Sequence, residues 1–241
     1  MLINVDFSGL EWRVAMYYSQ DKVGIQEIVD GVKIHDVNKE YFGFPEKLHA
    51  KIFLFRLVFG GTKFGFANDP VMAAVNPRPD FWQGIIDKTY DKYKGLAKWH
   101  KKIKQEARET GRLVAPSGRE FRFKPILKNG TPEWPDGQIM NYPVQGFGAD
   151  IVKIARIATY KRLMPHRNRG ILLINTVHDS LMADAPDPEV GFTAGIIQKV
   201  FDDVPSLVSR CFNINYNIPM GCEIEIGKNW LDMNPYEPKG N

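Results

Sequence analysis

Asp6 and Asp179 are far apart in the sequence, yet each ends a strand-like aliphatic run. Asp6 closes Leu2-Ile3-Asn4-Val5, and Asp179 follows Ile171-Leu172-Leu173-Ile174-Asn175-Thr176-Val177-His178. Between them, Lys47 and Lys51 stand one helical turn apart in Lys47-Leu48-His49-Ala50-Lys51-Ile52-Phe53-Leu54-Phe55. Carboxylates suit a hard divalent cation such as Mg²⁺, and a cationic helix suits a triphosphate. Together these are the parts that nucleotidyl transfer needs.

Each part also has a plain reading. An aspartate at a strand end serves as a helix cap or turn residue, and Asp179 in a tight hairpin has the same explanation. Lys47 and Lys51 could be the solvated side of an amphipathic helix. On that helix, however, Lys47, Lys51, Phe55 and Phe59 recur every four residues and share one face. Lysines toward the N-terminal half could hold phosphates, with Phe55 roughly 6 Å further along the axis beside a sugar and base. Leu48, Ile52, Leu54, Leu57 and Val58 would supply apolar surface elsewhere.

The elements that must position these residues can be read in part. Residues 2–6 read as a buried strand, followed by a helix to Ser19 with Ser8 and Glu11 at capping-box spacing. A second helix begins near His35, and a strong one runs from Glu46 to Phe59 before Gly60-Gly61. Residues 68–79 are turn-rich, 81–110 helical, 112–124 a hairpin around Pro116-Ser117-Gly118, and 128–137 a loop. Helix is expected over 148–163 and 186–210, strands over 171–177 and 180–185, and an edge strand over 222–226. The pattern is α+β: a small antiparallel sheet from both chain ends with flanking helices, interrupted by a mostly helical insertion.

Bulk properties narrow the class. The 241 residues are 44% hydrophobic and 25% charged, ordinary values for a globular protein with a substantial core. The formal net charge of +4 permits a polyanionic partner without requiring one. Cys211 and Cys222 form no C-x-x-C or Cys/His cluster, which argues against zinc or a disulfide framework and fits a reducing, cytoplasmic setting. No apolar run approaches the roughly 18 residues of a membrane span, and the N-terminus has no signal-peptide pattern. The run Lys98, Lys101, Lys102, Lys104, Arg108 and Arg112 reads as a solvated face. P-loop and Rossmann motifs are absent.

Taken in order, the motifs resemble the polymerase module of family A DNA polymerases, the type found in bacterial DNA polymerase I and many phage replicases. Asp6-Phe7-Ser8-Gly9-Leu10-Glu11-Trp12-Arg13 is similar to motif A, and Lys33-Ile34-His35-Asp36 to the Asp-Ile-His element after it. Residues 47–60 resemble motif B on the fingers helix. Asn141-Tyr142-Pro143-Val144-Gln145-Gly146 resembles the next element, and Thr176-Val177-His178-Asp179 resembles motif C. Glu225-Ile226-Gly227-Lys228-Asn229-Trp230-Leu231 is similar to the C-terminal signature.

The resemblance implies a palm from residues 1–19 and 141–241, and fingers from residues 20–140. It implies a DNA-directed DNA polymerase that adds dNTPs to a primer 3′-hydroxyl on a DNA template. Asp6, Asp179 and the Phe7 carbonyl would hold two Mg²⁺ ions. Lys47, Lys51 and His35 would contact the triphosphate, with Asp6, Asp179 and Lys51 as the catalytic set. Glu11 would exclude a ribose 2′-hydroxyl, Phe55 would pack on the sugar, and Phe59 would sit near the templating base. Asn141, Gln145, His178 and Arg119 would touch the primer–template.

The chain departs from the family pattern at several positions. Lys47 stands for an Arg, Arg56 for a Gly, Gly9 for a Gln, Gly137 for an Arg, and Ser180 for a Glu. Motif A begins almost at Met1, so the expectation is the C-terminal half of a split polymerase, of the phage kind, or else an excised fragment. A second polypeptide would carry the thumb, the early palm and, as in many members, a 3′–5′ exonuclease. No membrane partner is expected. The rival readings are an inactive remnant that binds DNA or a replisome, and a template-directed RNA-synthesising enzyme.

Overall fold

In the computed structural model, which describes residues 1–238, strand β1 (Leu2–Phe7) alternates half-buried and buried side chains along its length. Ile3, Val5 and Phe7 are therefore core residues, while Leu2, Asn4 and Asp6 point to the other face. The chain clusters into two units, one from Met1–Leu10 with the chain from Phe147 onward, the other from Glu11–Gly146.

The first unit contains both chain ends. β6 (Leu172–Val177), β7 (Ser180–Asp184), β8 (Cys222–Gly227) and β9 (Asn234–Pro235) join β1 in an antiparallel sheet of order β6-β7-β1-β8-β9. α10 (Val190–Phe212) buries Thr193, Ala194, Ile197, Val200, Phe201, Val204 and Val208, a three-and-four spacing that makes one apolar stripe. The stripe packs on the core face of β1, where the Phe7 and Phe201 rings are 4.2 Å apart. The later part of α9 (Asp136–Leu163) contributes Phe147, Ile151 and Ala155 to the core.

The second unit is mostly helical: α1 (Leu10–Ser19) beyond its first residue, α2 (Lys22–Val29), α3 (Ile34–Phe42), α4 (Lys47–Val58), α5 (Lys63–Ala67), α6 (Pro70–Val75), α7 (Pro79–Lys92), α8 (Lys94–Thr110) and the start of α9. Its centre is an aromatic cluster of Phe42, Phe44, Phe53, Phe66 and Trp82. Asp21 holds two helix starts at once. Its Oδ1 accepts from Val23 and Gly24 N–H of α2, and its Oδ2 from Gly95 and Leu96 N–H of α8. Gly95 allows this approach, since a Cβ there would lie 2.7 Å from the Asp21 Cα.

The α+β class agrees with the sequence, but several elements differ. The expected continuous helix over 81–110 breaks at Tyr93, whose φ of −107° and ψ of 70° leave the helical region. Tyr93 is fully buried, and its hydroxyl donates to Glu27 at 2.9 Å and accepts from Asn38 at 3.0 Å. The expected loop at 128–137 contains a hairpin of β4 (Ile126–Lys128) and β5 (Thr131–Glu133). Asn129 and Gly130 have φ of 50° and 79°, the two positive values a type I′ turn requires. β2 (Arg112–Val114) and β3 (Glu120–Arg122) form the hairpin expected earlier in the chain.

α9 begins at Asp136 rather than Gly148 and runs through Pro143, since Ile139, Met140 and Val144 on either side are buried and keep it docked. α2 was not expected, nor was α6 within the turn-rich stretch; caps at Asp21 and Asp69 stabilise both short segments. α1 starts at Leu10, after Gly9 at φ 64°, so Ser8 lies too early for the capping box. β8 is not an edge strand, because β9 pairs on its outer side. Among the described residues no helix is long and apolar enough to cross a membrane.

Candidate active site

In the first unit, β-sheet register decides where the carboxylates stand. Asp6 is opposite Ser180 on β7 and opposite Glu223 on β8, and residues directly opposite in an antiparallel ladder share a face. Asp179 immediately precedes Ser180 in the two-residue turn between β6 and β7, and the Phe7 N–H donates to its carbonyl at 3.4 Å. Residues from near the two chain ends thus meet on neighbouring strands. His178, exposed, has φ 53°, the positive value that the first central residue of such a turn demands. The Ser180 hydroxyl donates to the Val177 carbonyl at 3.0 Å and closes the turn.

The donor set can be tested against Mg²⁺. Among the described residues no group of three or more His, Cys, Asp and Glu side chains forms a ready-made cage. Asp6 and Asp179 offer two carboxylates, and Phe7, whose N–H bonds the Asp179 carbonyl, adds a main-chain carbonyl on the adjoining residue. Mg²⁺ is usually held by one or two carboxylates and completed by water and substrate phosphates, so the set fits. Glu223 was not singled out from the sequence. The alternation Glu223-Ile224-Glu225-Ile226 carried the signal, but only the register reveals that it faces Asp6.

In the second unit, α3 and α4 assemble the cationic group. His35 on α3 lies beside Phe55 on α4, with ring centroids 6.1 Å apart and planes 27° from parallel. Burial, followed by the nearby Lys51 and Lys47 ammoniums, holds the His35 imidazole below the usual histidine range. Its Nδ1 is buried without a hydrogen-bond partner. Lys47 donates to Asp36 at 3.0 Å, and Lys51 is exposed. His35, Lys47, Lys51 and Phe55 are therefore neighbours, a grouping that sequence spacing alone supplied only for the α4 residues.

α4 presents that face because its other side is anchored. Ala50, Phe53, Leu54, Leu57 and Val58 are buried, whereas Phe55 and Phe59 are half-buried. Leu48, expected to add apolar surface, is 51% exposed; Phe53 occupies the core position instead. Glu11 lies in the first turn of α1.

Three of the four expected primer–template residues also come together. Asn141 and Gln145 stand four residues apart on one side of α9, and the Asn141 Oδ1 is buried without a partner. The β2–β3 hairpin lies against the next turn: a Cβ on Gly146 would be 2.4 Å from Phe121 Cζ and 3.2 Å from Arg119 Cδ. Arg119 is thus beside Gln145, while His178 belongs to the first unit.

The profile of DNA polymerase family A matches residues 1–232. The chain belongs to DNA polymerase family A. Curated relatives agree: this family A chain is 26% identical over 242 residues to DNA polymerase I of Chloroflexus aurantiacus, covering 97% of the chain and 24% of that protein. It is 25% identical to the thermostable DNA polymerase I of Thermus aquaticus, covering 96% of the chain and 27% of the relative. The chain therefore spans about a quarter of the length of the curated relatives it matches. The solved POL domain of Pol1 from M. smegmatis, in complex with DNA primer-template and dNTP, has the same fold. The TM-score is 0.75 at 18% identity, over 95% of this family A chain and 40% of that one.

Proposed function

We propose that the chain is the palm-and-fingers portion of a DNA-directed DNA polymerase, with palm from residues 1–19 and 141–241 and fingers from 20–140. The observation that carries this reading is the register that sets Asp179 beside Asp6 across β1 and β7, within a chain of this family.

The reaction is attack of a primer 3′-hydroxyl on the α-phosphate of a dNTP, forming one P–O bond and releasing pyrophosphate. Two Mg²⁺ ions, held by Asp6, Asp179 and the Phe7 carbonyl, supply Lewis-acid charge at the phosphates when bound. Lys51, Lys47 and His35 hold the triphosphate, so that catalysis is positioning plus electrostatic stabilisation. Phe55 packs on the sugar, Glu11 excludes a 2′-hydroxyl, and Phe59 borders the templating base. Asn141, Gln145, Arg119 and His178 grip the primer–template.

The curated relatives are about four times longer than the matched region, which supports a requirement for further parts. The thumb, the remaining palm and any 3′–5′ exonuclease lie outside the matched region, on further chain or on a separate polypeptide as in a phage split replicase.

Primer extension tests the reading, with the chain alone and with candidate completing polypeptides. Mg²⁺-dependent dNTP incorporation that disappears in Asp179→Ala is expected. Binding of DNA without incorporation in every combination would instead identify a non-catalytic remnant.

A further inference from the structure

Arg56 follows Phe55 on α4 and lies three residues before Phe59, hence on the neighbouring surface of the same turn. Its Nη2 donates to Asp69 Oδ2 at 2.6 Å, and the side chain is 45% exposed. Asp69 is itself immobilised, because its Oδ1 caps α6 by accepting from Val71 and Met72 N–H, each at 3.0 Å. The Met72 N–H first and the Arg56 guanidinium with it hold the Asp69 carboxyl below the usual range, although burial opposes them. The Arg56 main chain is also fixed: its carbonyl accepts from Gly61 N–H at 2.6 Å. A Cβ on Gly61 would come within 2.8 Å of that oxygen.

A guanidinium carries five donors in a planar fork. Among the described residues Asp69 is the one side chain that hydrogen-bonds it, and it uses a single arm. Nε, Nη1 and the second Nη2 hydrogen remain as donors, so one of the two edges of the fork, Nε with Nη2 or Nη1 with Nη2, is still open to a two-point contact, the geometry that suits a phosphate. Holding the fork on a fixed carboxylate orders it before any ligand arrives, which lowers the entropy lost on binding.

We propose that Arg56 is a nucleic-acid contact, binding a backbone phosphate of the single-stranded template beside Phe59. The inference rests on the reading of the α4 face given above. A purely structural Arg56, one that only braces α4 against α6, is the competing role.

The two roles separate by salt dependence. Fluorescence anisotropy would follow the chain, with its completing polypeptide if one is required, binding a primer–template with a single-stranded 5′ overhang between 50 and 200 mM salt. Each single-strand phosphate contact contributes about 0.7 to the slope of log affinity against log salt. Arg56→Met is expected to lower the slope by about that amount and weaken overhang binding several-fold, while leaving blunt-duplex binding unchanged. Arg56→Lys should recover the slope and only part of the affinity. Asp69→Asn keeps the α6 cap and should leave the slope unchanged.

Circular dichroism checks folding, and Arg56→Gln serves as a second neutral variant. If Arg56→Met, Arg56→Gln and Asp69→Asn behave alike with the wild-type slope, or if the wild-type chain does not bind overhang DNA, the contact is refuted. Nucleotide incorporation is not needed for this readout. Loss of this contact with extension intact, or the reverse, therefore distinguishes failure of the inference from failure of the polymerase reading.

Discussion

Asp6 faces Ser180 across the β1–β7 ladder, so Asp179 is the chain neighbour of the residue directly opposite Asp6. Strands are rigid, and the pairing fixes how far apart the main chains of Asp6 and Asp179 stand. The family's usual glutamate is absent at Ser180, whose hydroxyl is bonded back to Val177.

Asp179→Asn should lower primer extension by about 10³-fold or more, because it removes one of the two carboxylate charges that would hold Mg²⁺ at the reacting phosphates. Asp179 is half-buried in a turn, and folding stability should change by no more than about 0.5 kcal/mol. Steady-state extension rates and a urea melt check both halves. Retention of full activity would remove Asp179 from the catalytic set.

Anion binding at His35 should be coupled to proton uptake. Burial, Lys51 and Lys47 depress the imidazole in the ligand-free protein, and a polyphosphate that neutralises the lysines raises it again. The bound pKa then exceeds the unbound one, so affinity increases as pH falls through the histidine range and levels off below the depressed value. Each unit of difference is worth about tenfold. Calorimetry with tripolyphosphate between pH 7.5 and 5.5 should show this dependence, and His35→Gln should flatten it.

His100 should make the fold acid-sensitive. Burial pushes its pKa down to about 3, and its Nδ1 is 3.0 Å from the Tyr90 hydroxyl. The unfolded chain binds a proton near pH 6.5 that the folded chain refuses until about 3. The stability contribution is therefore complete above the unfolded pKa and declines as pH falls from there, by up to about 1.4 kcal/mol per unit. Urea midpoints at pH 7.5 and 5 should diverge in the wild type and converge in His100→Phe.

Asp21 should be one of the most sensitive polar positions in the second unit. Asp21→Ala exposes orphan N–H groups at the starts of both α2 and α8 and should cost about 2–4 kcal/mol. Asp21→Asn should fall between, since an amide retains only one acceptor oxygen. Gly95→Ala should also destabilise, by forcing a Cβ against Asp21. Chemical unfolding of the three variants gives the order; equal stability of Asp21→Ala and wild type would contradict the double cap.

Local pattern made much of this protein legible. Leu2–Phe7 alternates, the residues around α4 end at Gly60-Gly61, and Cys222–Gly227 alternates again, so strand and helix types could be read from nearest neighbours. The ordered motifs from Asp6 to Trp230 also announced the family. Where local signals conflicted, longer-range packing won. Pro143 argues for a break, yet buried neighbours carry α9 through it; residues 81–110 look continuous, yet the buried hydroxyl bonds of Tyr93 interrupt them.

What the linear order could not contain is register and convergence. Whether Asp6 meets Ser180 or slips by a residue depends on which faces of β1 and β7 are buried, and a one-residue slip would reverse every side chain. Glu223 opposite Asp6, His35 beside Phe55, and Arg56 tied to Asp69 join residues through pairing and helix packing. Residue type and spacing declared the chemistry available to this chain. Only the burial of apolar faces, which selects one pairing among many, determined which of those groups became neighbours.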